Sequence, residues 1–270
     1  MYLAYYGLKE PPFDITPNPR FLFYSAKHRE AFNHLLFGIR ERKGFVQLTG
    51  EVGAGKTTLC RAMLEELDGR FSTALILNPV MSADELMKAI ATEFGLSVKG
   101  MDRLETVSAI NSFLLQQVEA KKDSVLIIDE AQDLTDDLLE QVRLLSNLET
   151  DNRKLLQIVL MGQPELRDRL NNPKLRQLCQ RITVRYHLSS LGRDEVAHYV
   201  RHRLEVSGAK AAPFFTKPAL WRVHNYSGGI PRLVNALCDK SLLAGYVNQT
   251  ACINWRMVGR AIRELEGNIS

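Results

Sequence analysis

Phe45-Val46-Gln47-Leu48-Thr49-Gly50-Glu51-Val52-Gly53-Ala54-Gly55-Lys56-Thr57 is the stretch on which the fold turns. A short apolar run reaches Gly50, and from there the spacing is G-x-x-x-x-G-K-[ST] at every fixed position. Glycines let the backbone curl until successive N–H groups converge on one point, which suits an anion. The helix expected over 57–67 adds the positive end of its dipole there. Lys56 would neutralise β- and γ-phosphate charge, and the Thr57 hydroxyl would ligate Mg²⁺. A chance glycine turn has no need of a strand before it and a helix after it; both are expected here. Glu51, Val52, Gly53, Ala54, Gly55, Lys56, Thr57 and Thr58 are therefore the expected nucleotide contacts.

Working outward, four more apolar runs read as strands, at 73–77, 124–128, 156–161 and 182–188, after the first at 45–49. Amphipathic helical segments at 57–67, 83–94, 107–120 and 136–149 separate the first four strand runs. Strands alternating with helices imply a parallel sheet covered on both faces. Before the loop, the pairs Pro11-Pro12 and Pro17-Asn18-Pro19 predict an irregular start, then Ser25 predicts a helix N-cap. After Leu191-Gly192 the pattern changes to helices at 193–206, 217–225, 231–246 and 254–265, with no strand expected. Trp221 and Trp255 read as core of this helical part. Two regions follow: an α/β core over 1–190 and an all-α lid over 191–270.

Val125-Leu126-Ile127-Ile128-Asp129-Glu130 is an apolar run ending in two carboxylates. Buried strands deliver polar residues at their C-terminal ends, where α/β sheets bind ligands. Asp129 is the expected second Mg²⁺ ligand, and Glu130 the group that orients and deprotonates the attacking water. On its own such a pair could cap a helix; beside a phosphate loop it reads as catalytic.

Composition narrows the class. Hydrophobic residues are 45% and charged residues 24% of 270, ordinary for a globular chain. No stretch nears the ~20 apolar residues of a membrane span, and the first residues lack the basic opening of a secretory signal. Cys60, Cys179, Cys238 and Cys252 are too scattered for a metal cluster and read as reduced thiols. Residues 1–150 carry 16 Lys/Arg against 22 Asp/Glu, and 151–270 carry 19 against 9. The basic end could meet nucleic acid, the acidic part of a neighbouring subunit, or water alone.

The loop, the Asp129-Glu130 pair and the late Gly228-Gly229-Ile230-Pro231-Arg232 together resemble AAA+ ATPases. More closely, the chain resembles the ATPase domain of the ExeA/GspA general secretion pathway family and related pilus-biogenesis ATPases. The residues carrying that likeness are Tyr6-Gly7-Leu8, Pro12-Phe13, Pro17-Asn18-Pro19, residues 50–57, Asp129-Glu130-Ala131-Gln132, Gly162-Gln163-Pro164-Glu165-Leu166 and residues 228–232. The resemblance implies a P-loop AAA+ core with a helical lid, and hydrolysis of ATP with Mg²⁺. It implies that Gln163 senses the γ-phosphate and that Arg232 reaches it from the lid. Arg181 is implied as the finger completing a neighbour's site, with Arg176 and then Arg185 as competitors. Phe21, Leu22, Phe23 and Tyr24 are either adenine contacts or core, and His28 reads as structural. The resemblance further implies a ring or helical homo-oligomer working with inner-membrane secretion or pilus assembly proteins. The site of work would be the cytoplasm, at the inner membrane through a partner or a C-terminal extension. Such relatives often continue into a membrane segment and a peptidoglycan-binding domain. A chain ending at Ser270 with neither is expected to be a short member or an excised cytosolic domain. The rival reading is a DNA-binding AAA+ regulator of the transposition or loader type, with nucleic acid the less favoured partner.

Overall fold

The computed structural model describes residues 1–67, 69–150, 153–210 and 213–267. Two compact units form, neither continuous in sequence: one holds 29–50 and 60–188, the other 1–28, 51–59 and 189 onward. The first half of the chain runs α1 (Tyr2–Tyr6), α2 (Ala26–Arg40), β1 (Phe45–Gly50), α3 (Lys56–Glu66), β2 (Phe71–Ile76), α4 (Ala83–Glu93), α5 (Arg103–Glu119) and β3 (Asp123–Ile128). Next come α6 (Asp136–Leu145), β4 (Glu149–Thr150), β5 (Arg153–Lys154), β6 (Leu156–Gly162), α7 (Pro164–Leu170), α8 (Arg176–Arg181) and β7 (Ile182–Leu188). The chain closes with α9 (Arg193–Val206), β8 (Phe214–Phe215), α10 (Lys217–Ser227), α11 (Pro231–Val247), β9 (Cys252–Ile253) and α12 (Trp255–Leu265).

In the middle unit, five strands form one sheet in the order β2-β3-β6-β1-β7, with every neighbouring pair parallel. β1 and β6 are buried along their whole length, and β3 is buried after its first residue. Both faces are covered, so these three read as mainly apolar runs. β7, at an edge, alternates buried and exposed residues and reads instead with period two. The five expected strands are all present, each within two residues of its expected ends. α5 starts four residues earlier than expected because Asp102 caps it. The Asp102 carboxylate accepts from Glu105 N–H, and Glu105 answers with a bond from Asp102 N–H. α6 ends at Leu145 rather than 149, and Glu149 enters the short antiparallel pair β4–β5.

The second unit is a helical cluster of α9–α12 around Val196, Val200, Val223, Val234, Leu237 and Val258. The proline-rich start belongs to it: Tyr6, Leu8 and Phe13 are buried in the same core. Buried Arg203 of α9 holds this segment by donating to the Pro12 and Asp14 carbonyls, with its guanidinium 4.7 Å from the Phe21 ring centre. The start is also less irregular than expected, with α1 and a 3₁₀ turn at Pro19–Phe21. Two further expectations are corrected. A strand pair does follow residue 190: β8 and β9 pair in parallel, too short at two residues each to show a period. Trp221 and Trp255 are not core. Each is 38% exposed, and they stack at 5.4 Å with the Arg222 guanidinium 4.4 Å from the Trp255 ring. Indoles at helical spacing cannot be told from core by pattern, because a large ring is seldom fully enclosed.

Candidate functional site

Gly50 ends β1 beside Leu188 of β7, where an added Cβ would sit 2.6 Å from the Leu188 carbonyl oxygen. Residues 51–55 form a tight loop, with Gly53 and Gly55 at φ of +79° and +100°, a region side chains disfavour. Ala54 N–H bonds the Glu51 carbonyl at 3.0 Å. Lys56 then opens α3, only 6% exposed, and its Nζ donates to the Glu51 carbonyl at 3.1 Å. Thr57 and Thr58 lie half-buried in that first turn, and Glu51 and Val52 are exposed. The helical unit thus holds a cation and a run of curled backbone together at a helix N-terminus, the arrangement that binds phosphate.

Two side chains of the same unit meet this loop. Pro231 starts α11 and places Arg232 in its first turn. The Arg232 backbone N–H donates to the Gly53 carbonyl at 3.2 Å, and a Cβ on Gly53 would lie 2.4 Å from that of Arg232. Arg232 is exposed, so its guanidinium is solvated at the edge of the loop. The preceding Gly229, at φ +76°, approaches Leu191 so closely that an added Cβ would clash with its carbonyl at 1.9 Å. The second side chain is that of His28, for which the sequence suggests no partner. Its Nδ1 lies 2.8 Å from Ser25 Oγ and its Nε2 3.2 Å from the Ala54 carbonyl oxygen. It is 4% exposed, and burial holds its imidazole below the usual histidine range. Ser25 is at the N-cap position expected, accepting from His28 N–H at 3.3 Å. Of the aromatic start, Phe21 and Leu22 are buried, Phe23 packs on Tyr199, and Tyr24 is 37% exposed.

The sheet unit carries the acidic set. Asp129 follows β3, 3% exposed, its N–H still bonded to the Ile76 carbonyl at 2.8 Å. Its Oδ1 accepts from Glu130 N–H at 2.9 Å. Glu130 is left-handed at φ +50°, uncommon without glycine. Its Oε2 accepts from Gln132 Nε2 at 2.9 Å and from Gln163 Nε2 at 3.4 Å. Gln132 Oε1 in turn accepts from Gln163 N–H at 3.0 Å. Glu130 and Gln163, each expected at the site in a separate role, are hydrogen-bonded to each other, and Gln132, for which the sequence suggests no role, joins them. Gly162 makes room for it, because a Cβ there would stand 2.7 Å from Gln132 Oε1. Arg169 locks the turn from α7, donating to the Gln132 and Leu134 carbonyls at 2.5 and 2.6 Å and to Asp136 at 2.7 Å.

The arginines of the α8 region differ in freedom. Arg181 ends α8 half-buried and donates to Ser146 Oγ at 2.7 Å within its own chain. Arg185 bonds the Cys179 carbonyl at 2.6 Å. Arg176 begins α8 and is exposed.

Each unit carries a hard oxygen donor of the kind Mg²⁺ prefers: the half-buried Thr57 in one, the buried Asp129 carboxylate in the other. Among the described residues no cluster of three or more His, Cys, Asp or Glu could hold a metal by itself.

A family model described as an AAA domain matches residues 39–170. The chain is 47% identical over 268 residues to general secretion pathway protein A of Aeromonas hydrophila, covering 99% of this chain and 49% of that protein. It therefore spans about half the length of the curated relative it matches. Among solved structures, the ORC2 protein of Aeropyrum pernix superimposes with a TM-score of 0.73 at 15% identity, over 97% of this chain and 73% of that one. The RuvB branch migration motor of Thermotoga maritima gives 0.59 at 18% identity, over 92% and 72%. At such identities the solved structures speak for the fold alone, a helix-flanked parallel sheet with a helical C-terminal region.

Proposed function

We propose that the chain is an AAA-domain ATPase, similar to general secretion pathway protein A over about half that protein's length, and that it binds and hydrolyses ATP with Mg²⁺. The observation that carries the reading is the loop itself: left-handed Gly53 and Gly55 leading into Lys56 at the first residue of α3. Lys56 and the loop N–H groups of residues 51–58 bind the β- and γ-phosphates, and Arg232 adds a second cation from the lid, residues 191–270. Thr57 and Asp129 would hold Mg²⁺, which neutralises charge on the phosphate oxygens when bound. Glu130 takes a proton from the attacking water as the water oxygen bonds the γ-phosphorus, the bond from that phosphorus to the β–γ bridging oxygen breaks, and ADP leaves. Its carboxylate is aimed by the Gln132 and Gln163 amides, and Gln163 also reports the γ-phosphate. The test pairs two variants. Lys56→Ala is expected to lose ATP binding, measured by equilibrium titration. Glu130→Gln is expected to bind within about threefold of wild type and to lose turnover by 10²-fold or more. Turnover near the wild-type rate in the second variant would remove Glu130 from the mechanism.

By its kinship we place this activity in a secretion or pilus assembly machine, with the chain on the cytoplasmic side of the inner membrane, as a homo-oligomer working on partner proteins. No described helix is long and apolar enough to cross a membrane. The second reading, a DNA-binding regulator, draws on one observation, the excess of 19 Lys/Arg over 9 Asp/Glu in residues 151–270. ATPase rate with and without duplex DNA at two salt concentrations separates them. Weak, steeply salt-dependent binding without stimulation fits nonspecific phosphate contact; tight binding at physiological salt with stimulated turnover would favour the second.

A further inference from the structure

We propose that His28 is a positioning residue for the nucleotide, acting through the Ala54–Gly55 peptide of the phosphate loop; this rests on the reading of that loop as the ATP site. The ring is enclosed and both nitrogens are engaged. Nε2 faces a carbonyl oxygen, which can only accept, so Nε2 carries the hydrogen and donates to Ala54 at 3.2 Å. Nδ1 is then the acceptor, and Ser25 Oγ donates to it at 2.8 Å. The same oxygen accepts from His28 N–H at 3.3 Å, so Ser25 both caps α2 and sets the ring's tautomer. In a trans peptide the carbonyl and the following N–H point in opposite directions. Holding the Ala54 carbonyl toward the imidazole therefore turns Gly55 N–H away from it, toward the side where the loop N–H groups converge. Gly55 is held from the same side: a Cβ there would sit 3.3 Å from His28 Nε2. With φ of +100°, Gly55 has wide conformational freedom, and the imidazole removes it before the ligand arrives. Preorganisation of this kind lowers the cost of binding and leaves chemistry at the γ-phosphate untouched.

The expected signature is a split between affinity and rate. His28→Leu fills the site without a donor and should weaken ATP binding and raise KM about tenfold, the worth of one hydrogen bond, with kcat within threefold of wild type. His28→Gln keeps an N–H donor and should recover most of the affinity. In ¹⁵N NMR of the histidine-labelled wild-type chain, His28 should be the neutral Nε2–H tautomer at pH 7, a readout that needs no variant. Unchanged ATP affinity in a folded His28→Leu chain overturns the proposal, as does an Nδ1–H tautomer, or a Gln variant no better than Leu. Lys56→Ala run alongside keeps the two readings apart. If it abolishes binding while His28→Leu has no effect, only the positioning role falls. If Lys56→Ala binds like wild type, the loop is not the ATP site.

Discussion

Glu130 sits in a left-handed conformation that costs a non-glycine residue about 1–2 kcal/mol, and its carboxylate accepts two amide bonds there. Strain held at a polar residue by surrounding bonds is common at reacting groups. Asp129 and Glu130 stood out because an apolar run ends in two acids in a chain that also carries a phosphate loop. Gln132 was not, since it reaches Glu130 through a 3₁₀ turn, Ala131–Asp133, that apolar periodicity does not register. His28 was illegible for a different reason: its partner is a backbone carbonyl 26 positions away. Its buried, neutral ring makes a prediction about acid. Burial lowers the folded-state pKa, helped by Lys27 and opposed by Glu195 and by the Ala54 bond. The unfolded chain therefore takes up the proton first. Stability is intact above the usual histidine value near ~6.5 and is lost as pH falls through the depressed folded value. Melting temperature should thus drop between pH 7 and 5 by more in wild type than in His28→Gln; equal drops would assign the acid sensitivity elsewhere.

At the scale of elements, the central strands could be read almost to the residue because covering both faces leaves mainly apolar side chains, with Gln47, Thr49, Ser124 and Gln157 the buried polar exceptions. Helix starts were readable where the cap was noticed and displaced where it was not, as Asp102 and α5 illustrate. Two-residue strands such as β8 and β9 leave no signal, because their pairing partners lie far apart in sequence. The turn between α10 and α11 invites a contrast between neighbours. Gly228 has φ +57° and open space for a Cβ, whereas Gly229 has φ +76° and the Leu191 carbonyl where a Cβ would go. Gly228→Ala should cost about 1 kcal/mol in urea unfolding, the left-handed penalty alone. Gly229→Ala should cost clearly more, because backbone must also move and the Leu191 N–H to Gly229 carbonyl bond at 2.9 Å goes with it. Equal costs would mean that the α9 entry yields without resistance.

At the scale of the whole molecule, we propose that hydrolysis is shared between subunits, and the arginines of α8 make that testable. Arg181, expected as the finger, is tied to Ser146 in its own chain, while Arg176 stands exposed at the start of the same helix. Either Arg176→Ala or Arg181→Ala should bind ATP, fail to turn it over, and regain activity when mixed with Lys56→Ala, which supplies an intact finger. The variant that shows this rescue names the residue; a mixture that associates but stays silent for both would end the shared-site reading. Sequence order concealed one large-scale fact: the first residues serve the last helices. Arg203 and the Asp14 carbonyl it binds are 189 positions apart. At roughly 5–20 residues per second of synthesis, the opening segment waits on the order of ten seconds or more for the helix that will grip it. All of the sheet's strands leave the ribosome in that interval. The middle of this protein can thus be finished while its two ends are still strangers, and a nascent chain stalled before α9 should carry a protease-resistant centre with a cleavable head.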